Sequence, residues 1–198
     1  MPGRRLRGGA EAASSITGGR FKGFRLVVPK PIRATQAKVR QALFNILGDS
    51  IVEARVLDGF AGSGAIGLEA LSREAAFVAF VESDTDAVLS IRDHLSRLDL
   101  ELPRSAWRVV HLDIERGLRQ LAKEEAPFDL IFFDPPYRSD EGKKALNTVV
   151  DCAMLRPLGF VVIEHERRVL PPTSVGSLQQ WKRHRYGDTV LSFYIQTP

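Results

Sequence analysis

The sequence predicts an α/β fold: a mostly parallel, seven-stranded sheet with helices on both faces, closed by an antiparallel hairpin at its C-terminal end. Three observations carry this expectation. From residue 54 onward, short runs rich in Val, Ile and Phe alternate with longer segments of helical period, the pattern of a parallel sheet with crossover helices. A glycine turn, Gly62-x-Gly64-x-x-Gly67, joins the first such run to the helix after it. The last two strand-like runs are split only by Gly187-Asp188, as in a hairpin.

The elements follow in order. Residues 1–19, rich in Gly, Arg, Ala and Ser, read as a disordered basic extension. Residues 20–34 read as a basic β-hairpin with Gly23 near its turn, and residues 35–198 as one α/β domain. That domain opens with a helix over 35–47, capped by Thr35, with Val39, Leu43, Phe44, Ile46 and Leu47 as its apolar stripe and Gly48 as its stop. Strands are expected over 54–60, 77–82, 107–113, 129–134 and 159–166, with helices over 64–73, 85–98, 114–123 and 142–155 between them. Residues 170–174, "LPPTS", read as a loop, and the closing pair covers 178–187 and 189–197.

A chain of 198 residues with 44% apolar and 26% charged residues has the composition of a folded domain with a substantial core. No apolar run approaches the roughly 20 residues of a membrane span, and the basic N-terminus lacks the apolar segment of a secretory signal. One cysteine, Cys152, excludes an internal disulfide framework. It points to a reducing, cytoplasmic location, with Cys152 as a small core residue. The charge is uneven. Residues 1–40 hold ten Lys/Arg and one acid, a net +9 on a chain whose total is +4, which leaves −5 on the rest. A basic arm on a mildly acidic body suits a polyanion, bound with steep salt dependence.

The glycine turn lets backbone pass close to a ligand, but alone it also fits many tight strand-to-helix turns. The acids around it separate the ligands. Asp58 ends the first parallel strand, where a carboxylate would repel a pyrophosphate and suit a cationic amino acid. S-adenosylmethionine, with an ammonium and a sulfonium, meets that demand. Glu82 ends the next strand, where it can accept from both ribose hydroxyls, and Asp113 ends the third, either in reach of an adenine amine that Ile114 would flank or as the cap of the helix that "IERGL" opens. Phe60, Gly62, Gly64 and Ser83 complete the expected cofactor set.

An apolar run then ends in Asp134-Pro135-Pro136-Tyr137. A nucleobase amine is a poor nucleophile because its lone pair is delocalised into the ring. Two acceptors on its N–H bonds draw it toward pyramidal geometry, and the Asp134 carboxylate and Pro135 carbonyl are such acceptors. Proline contributes no N–H and a fixed φ, and Tyr137 can stack on the base. This is catalysis by alignment and pre-set electrostatics. The planar amine is left open at this point: guanine N2, adenine N6 or a glutamine amide all qualify. A NAD-dependent oxidoreductase would use the glycines but leave Asp58 and the proline shelf without a role. The four histidines show no ligand spacing, and no catalytic metal is expected.

Five stretches, "ITGGRFKGFRLVVPKPIRATQAKVRQALFNIL", "VLDGFAGSGAIGLEAL", "FVE", "FFDPPY" and "YGDTVLSFY", together resemble the RsmD-like family of bacterial 16S rRNA guanine-N2 methyltransferases. The likeness runs over residues 16–198. It implies a Rossmann-like class I methyltransferase fold, S-adenosylmethionine as donor and S-adenosylhomocysteine as product. It also implies 16S rRNA in the small ribosomal subunit or its precursor as partner; a monomer is the default expectation, and the lack of an apolar run leaves no membrane partner expected. Three positions depart from the usual pattern: Ala34, Gly59 and His94. Arg20, Lys22, Arg25 and Arg33 can grip RNA phosphates, with Phe21 and Phe24 either stacking on unpaired bases or packing the hairpin onto the body. Lys182, Arg183, His184 and Arg185 read as a solvated basic face.

Overall fold

The computed structural model describes residues 14–27, 37–98, 102–136 and 139–197. Five parallel strands form one side of the sheet, with β5 at its edge: β3 (Arg55–Gly59), β4 (Phe77–Glu82), β5 (Trp107–His111), β6 (Phe128–Phe133) and β7 (Leu155–Glu166). The chain first builds outward from β3 through β4 to β5, then crosses back to place β6 and β7 on the other side of β3. That reversal makes the C-terminal ends of β3 and β6 the switch point, where ligands of open α/β sheets bind. β10 (Thr189–Gln196) pairs antiparallel with β7, and β9 (Leu178–Tyr186) pairs antiparallel with β10. An eighth strand, β8 (Ser174–Val175), continues the edge where sequence pattern indicated only a loop. Two residues carry too little periodicity to announce a strand; pairing with Leu178 and Gln179 creates it.

β3, β4 and β6 are buried on both faces, so they read as nearly continuous apolar runs. Three helices cover one face: α1 (Ala37–Leu47), α2 (Ala65–Ser72) and α3 (Thr85–Leu98). α4 (Ile114–Glu124) and α5 (Glu141–Asp151) cover the other. Phe80 and Phe132 fill the first core and Phe128 and Phe133 the second, all at most 1% exposed, each worth about 2 kcal/mol or more in removed apolar area. α1 buries Val39, Leu43, Phe44 and Leu47 as expected, but Ile46 is exposed, because its place in the turn faces solvent and Arg40 takes the inward position. Thr35, its expected cap, lies outside the described residues. α5 stops at Asp151 rather than 155. Ala153 turns to φ 48°, and Leu155 already pairs with Phe128. Cys152 is half-buried against the second core.

The hairpin expected over 20–34 forms earlier in the chain. β1 (Ser14–Ser15) pairs antiparallel with β2 (Arg25–Leu26), and residues 16–24 make the connection. Residues 14–19 therefore belong to the folded body and not to a disordered extension; residues 1–13 and 28–36 lie outside the described set. The cause is tertiary. Glu69, fully buried on α2, accepts from Thr17 N (2.7 Å), Thr17 Oγ1 (2.8 Å), Arg73 Nε (2.9 Å) and Arg40 Nε (3.3 Å). Arg40 in turn donates to the Ser15 carbonyl. Burial lowers the Arg40 guanidinium from its ordinary value, and its bond to Glu69 opposes that shift.

Candidate active site

A cavity of about 490 Å³ opens across the C-terminal ends of β5, β4, β3 and β6. Of the expected site residues, Phe60, Gly62, Glu82, Ser83, Asp113, Ile114, Asp134, Pro135 and Pro136 line it. Tyr137 and Arg33 lie outside the described residues. Four positions that pattern alone did not single out also line it: Val81, Asp84, Leu112 and Glu141. Asp84 carried a signal, since an Asp immediately before a helical segment is a capping position; its Oδ1 accepts from Ala87 N at 2.8 Å.

The glycine loop is built by close approach. Gly64 sits at φ 75°, a left-handed conformation that disfavours side chains. A Cβ on Gly67 would lie 2.2 Å from the ring of Phe80, so glycine allows α2 to lie against β4. Gly64 is buried within the turn rather than on the cavity wall.

Asp58 is placed beneath the loop instead of on its open side. It is 2% exposed, and its Oδ2 accepts the Gly67 N–H at 2.9 Å. Burial pushes its carboxyl well above the usual aspartate range; the Gly67 bond opposes this, and the Glu82 and Asp134 carboxylates add to it. Three acids on adjacent strand ends thus share one electrostatic environment. Glu82 is held by three backbone amides: Gly62 N to Oε2 at 2.7 Å, and Ser83 N and Asp84 N to Oε1 at 2.8 Å each. Both oxygens keep lone pairs for further donors.

Asp113 does two things. It lines the cavity, and it caps α4: Oδ1 accepts from Arg116 N at 3.0 Å, with Oδ2 paired to Arg116 Nε at 3.4 Å. One oxygen thus takes the capping amide and the other an exposed guanidinium, and Ile114 forms the apolar wall at that end. Across the cavity, Phe60 packs edge-on against Phe133, ring centroids 6.0 Å apart.

Arg20, Lys22 and Arg25 are exposed. Arg20 N donates to the carbonyl of Ser72, at the far end of α2 from the glycine loop, roughly 12 Å along an eight-residue helix. Of the two roles open to the aromatics, packing onto the body is the one the fold takes. Phe21 is 7% exposed and in the core, and Phe24 packs edge-on against His94 with Arg97 over its ring. Both rings anchor the segment to the body. Among the described residues no group of three or more His, Cys, Asp or Glu could hold a metal ion, and no helix is long and apolar enough to cross a membrane.

The family model described as "Conserved hypothetical protein 95" matches residues 14–195. The Bacillus subtilis (strain 168) protein YlbH is 38% identical over 162 residues, 82% of this chain and 86% of its own length. The "Ribosomal RNA small subunit methyltransferase D" of Escherichia coli (strain K12) is 35% identical over 172 residues, 86% of this chain and 82% of its own. The solved structure of yhhF from Escherichia coli is similar at a TM-score of 0.80 and 32% identity, spanning 93% of this chain and 98% of that one. The open sheet with its antiparallel C-terminal strands is the class I methyltransferase architecture. By sequence over nearly its whole length and by fold, this chain belongs to the RsmD-like family of rRNA methyltransferases.

Proposed function

We propose that this chain transfers a methyl group from S-adenosylmethionine to the exocyclic N2 amine of a guanine in 16S rRNA of the small ribosomal subunit or its precursor. The observation that carries this reading is the convergence of Glu82, Asp134 and the Pro135-Pro136 shelf on one cavity at the sheet's switch point. The relatives' names support rRNA of the small subunit as the substrate class.

The residues fit the donor. Carboxylates that raise Asp58 by their proximity are matched by a ligand bearing ammonium and sulfonium charges. Glu82, oriented by three amides, faces the place for a ribose diol, and Ile114 and Phe60 offer apolar walls for adenine. Bound there, S-adenosylmethionine supplies an electrophilic methyl on its sulfonium.

The chain's own residues do the rest. Asp134 and the Pro135 carbonyl accept the two N–H bonds of the target amine and aim its lone pair into the cavity. The prolines hold those acceptors still, so little reorganisation is needed at the transition state. The guanine must leave its stack to reach the shelf, and Arg20, Lys22, Arg25 and Arg33 hold flanking phosphates. Titration with S-adenosylhomocysteine and with NADH tests the donor assignment. Saturable binding of the first and none of the second is expected; the reverse would make the chain a dinucleotide enzyme. Charge reversal at Arg20, Lys22 and Arg25 should weaken RNA binding and spare the homocysteine product, and equal loss of both would remove the arm from RNA recognition.

A further inference from the structure

The outer edge of the sheet carries charge of one sign. β8 pairs only with Leu178 and Gln179, so from Trp181 onward β9 is the outermost strand among the described residues. It holds Lys182, Arg183 and Arg185, all exposed, and no acid. Among the described residues none of the three meets a carboxylate. Arg185 Nε donates to the Gly187 carbonyl at 3.0 Å, and Lys182 Nζ lies 4.0 Å from the centre of the half-exposed Trp181 ring. Arg167 and Arg168, exposed at the end of β7, lie between this edge and the shelf, with Glu166 and Asp188 as the acids beside them. Register fixes the height of the patch. Arg183 pairs with Ser192, Ser192 with Ile163, and Ile163 with Phe133, the residue before Asp134. Three strand spacings separate Arg183 from Phe133, about 14 Å. The cations therefore stand level with the proline shelf, at the end of the sheet where the cavity opens. Arg20, by contrast, is tied to Ser72 at the far end of α2.

Residues 155–198 hold six Lys/Arg and three acids, a net +3 within a body, residues 41–198, whose total is −5; that leaves −8 on residues 41–154. A polyanion approaching the body is repelled by most of it and drawn to this strip. Edge strands often carry charge to deter pairing with another chain, but either sign performs that task. Cations alone, level with the shelf on an otherwise acidic body, make a phosphate track. We propose that β9 is a second RNA-contact surface: Lys182, Arg183 and Arg185 bind backbone phosphates of the rRNA flanking the target guanine, and Arg167 and Arg168 continue the track toward the shelf. Contacts of this kind position a nucleic acid without reading its sequence. The inference rests on the proposed substrate, 16S rRNA.

The test uses the full chain with Lys182→Gln, Arg183→Gln and Arg185→Gln combined, which keeps the edge polar. A matched variant combining Arg92→Gln, Arg119→Gln and Lys123→Gln removes the same charge from exposed positions on α3 and α4. Three quantities are measured on each: affinity for protein-free 16S rRNA across a salt series, kcat and KM for labelled methyl transfer to small subunits from cells lacking the protein, and affinity for S-adenosylhomocysteine. The β9 variant should bind the RNA about tenfold or more weakly at about 0.15 M salt, with a salt slope shallower by about two. Its KM should rise in step, with kcat and product affinity within about twofold of wild type, while the matched variant stays within about threefold in RNA affinity. RNA affinity and salt slope unchanged in the β9 variant, or an equal loss in the matched variant, would overturn the assignment. A raised KM on subunits with unchanged affinity for protein-free RNA would also overturn it, by giving the strand to a ribosomal protein. If wild type binds 16S rRNA but methylates no guanine in it, the proposed function fails and the surface stands.

Discussion

Glu82 Oε2 accepts the Gly62 amide at 2.7 Å across 20 residues of chain, tying the end of β4 to the glycine loop above β3. One carboxylate thereby shapes the loop and faces the cavity. Glu82→Ala should weaken S-adenosylhomocysteine binding by about tenfold or more, since a charged hydrogen bond is worth about 1.5–3 kcal/mol. It should also lower stability by about 1–3 kcal/mol, by leaving amides without their acceptor. Calorimetric titration and urea unfolding measure the two separately. Unchanged affinity with lowered stability would confine Glu82 to the loop.

Asp58 gives the pH dependence a definite sign. Its folded value lies above its unfolded one, chiefly through burial. Its contribution to stability is therefore full below the ordinary carboxylate range and is lost as pH rises through the raised value. Asp58→Asn keeps an acceptor for Gly67 N–H and removes the charge. The variant should gain on wild type as pH rises through that window, in ligand-free urea unfolding, while binding S-adenosylhomocysteine more weakly at neutral pH. A stability difference independent of pH would show that Asp58 bears no strained charge.

The Glu69 cluster should dominate the anchoring of the N-terminal segment. Glu69→Ala leaves fully buried Arg40 without its carboxylate, a change that costs about 3–5 kcal/mol in buried pairs. Proteolysis near residues 14–24 should accelerate in that variant before the sheet unfolds. A loss below about 1 kcal/mol would mean that solvent reaches Arg40 readily.

Gly67→Ala tests the loop's packing. The added methyl meets the Phe80 ring, which is fully buried and has nowhere to move. A loss of about 1–3 kcal/mol is expected from overpacking, with weaker donor binding as α2 shifts from β4. Wild-type thermal stability would show that the helix can slide without penalty.

The parts legible in the sequence are those whose chemistry is local. Strand-end acids and the glycine turn announce themselves because a buried strand must end where a polar group begins, and Glu82 and Asp134 lie where that rule puts them. The connection from β1 to β2 was illegible because its cause is a carboxylate more than fifty residues away, Glu69. Asp113 is ambiguous because a strand-end acid and a helix cap look identical in one dimension; in the fold it caps α4 through the bond from Arg116 N and also lines the cavity. Phe21 and Phe24, interleaved with cations, pattern like an RNA platform yet serve the core.

The central claim is that Asp134 and the proline shelf activate a guanine amine. Its most direct measurement is labelled methyl transfer to small subunits from cells lacking this protein, with nucleoside analysis of the product, for wild type and Asp134→Ala. The account predicts N2-methylguanosine from wild type, none from the variant, and S-adenosylhomocysteine binding retained by both. Full transfer by Asp134→Ala, or a wild-type product other than N2-methylguanosine, would contradict it.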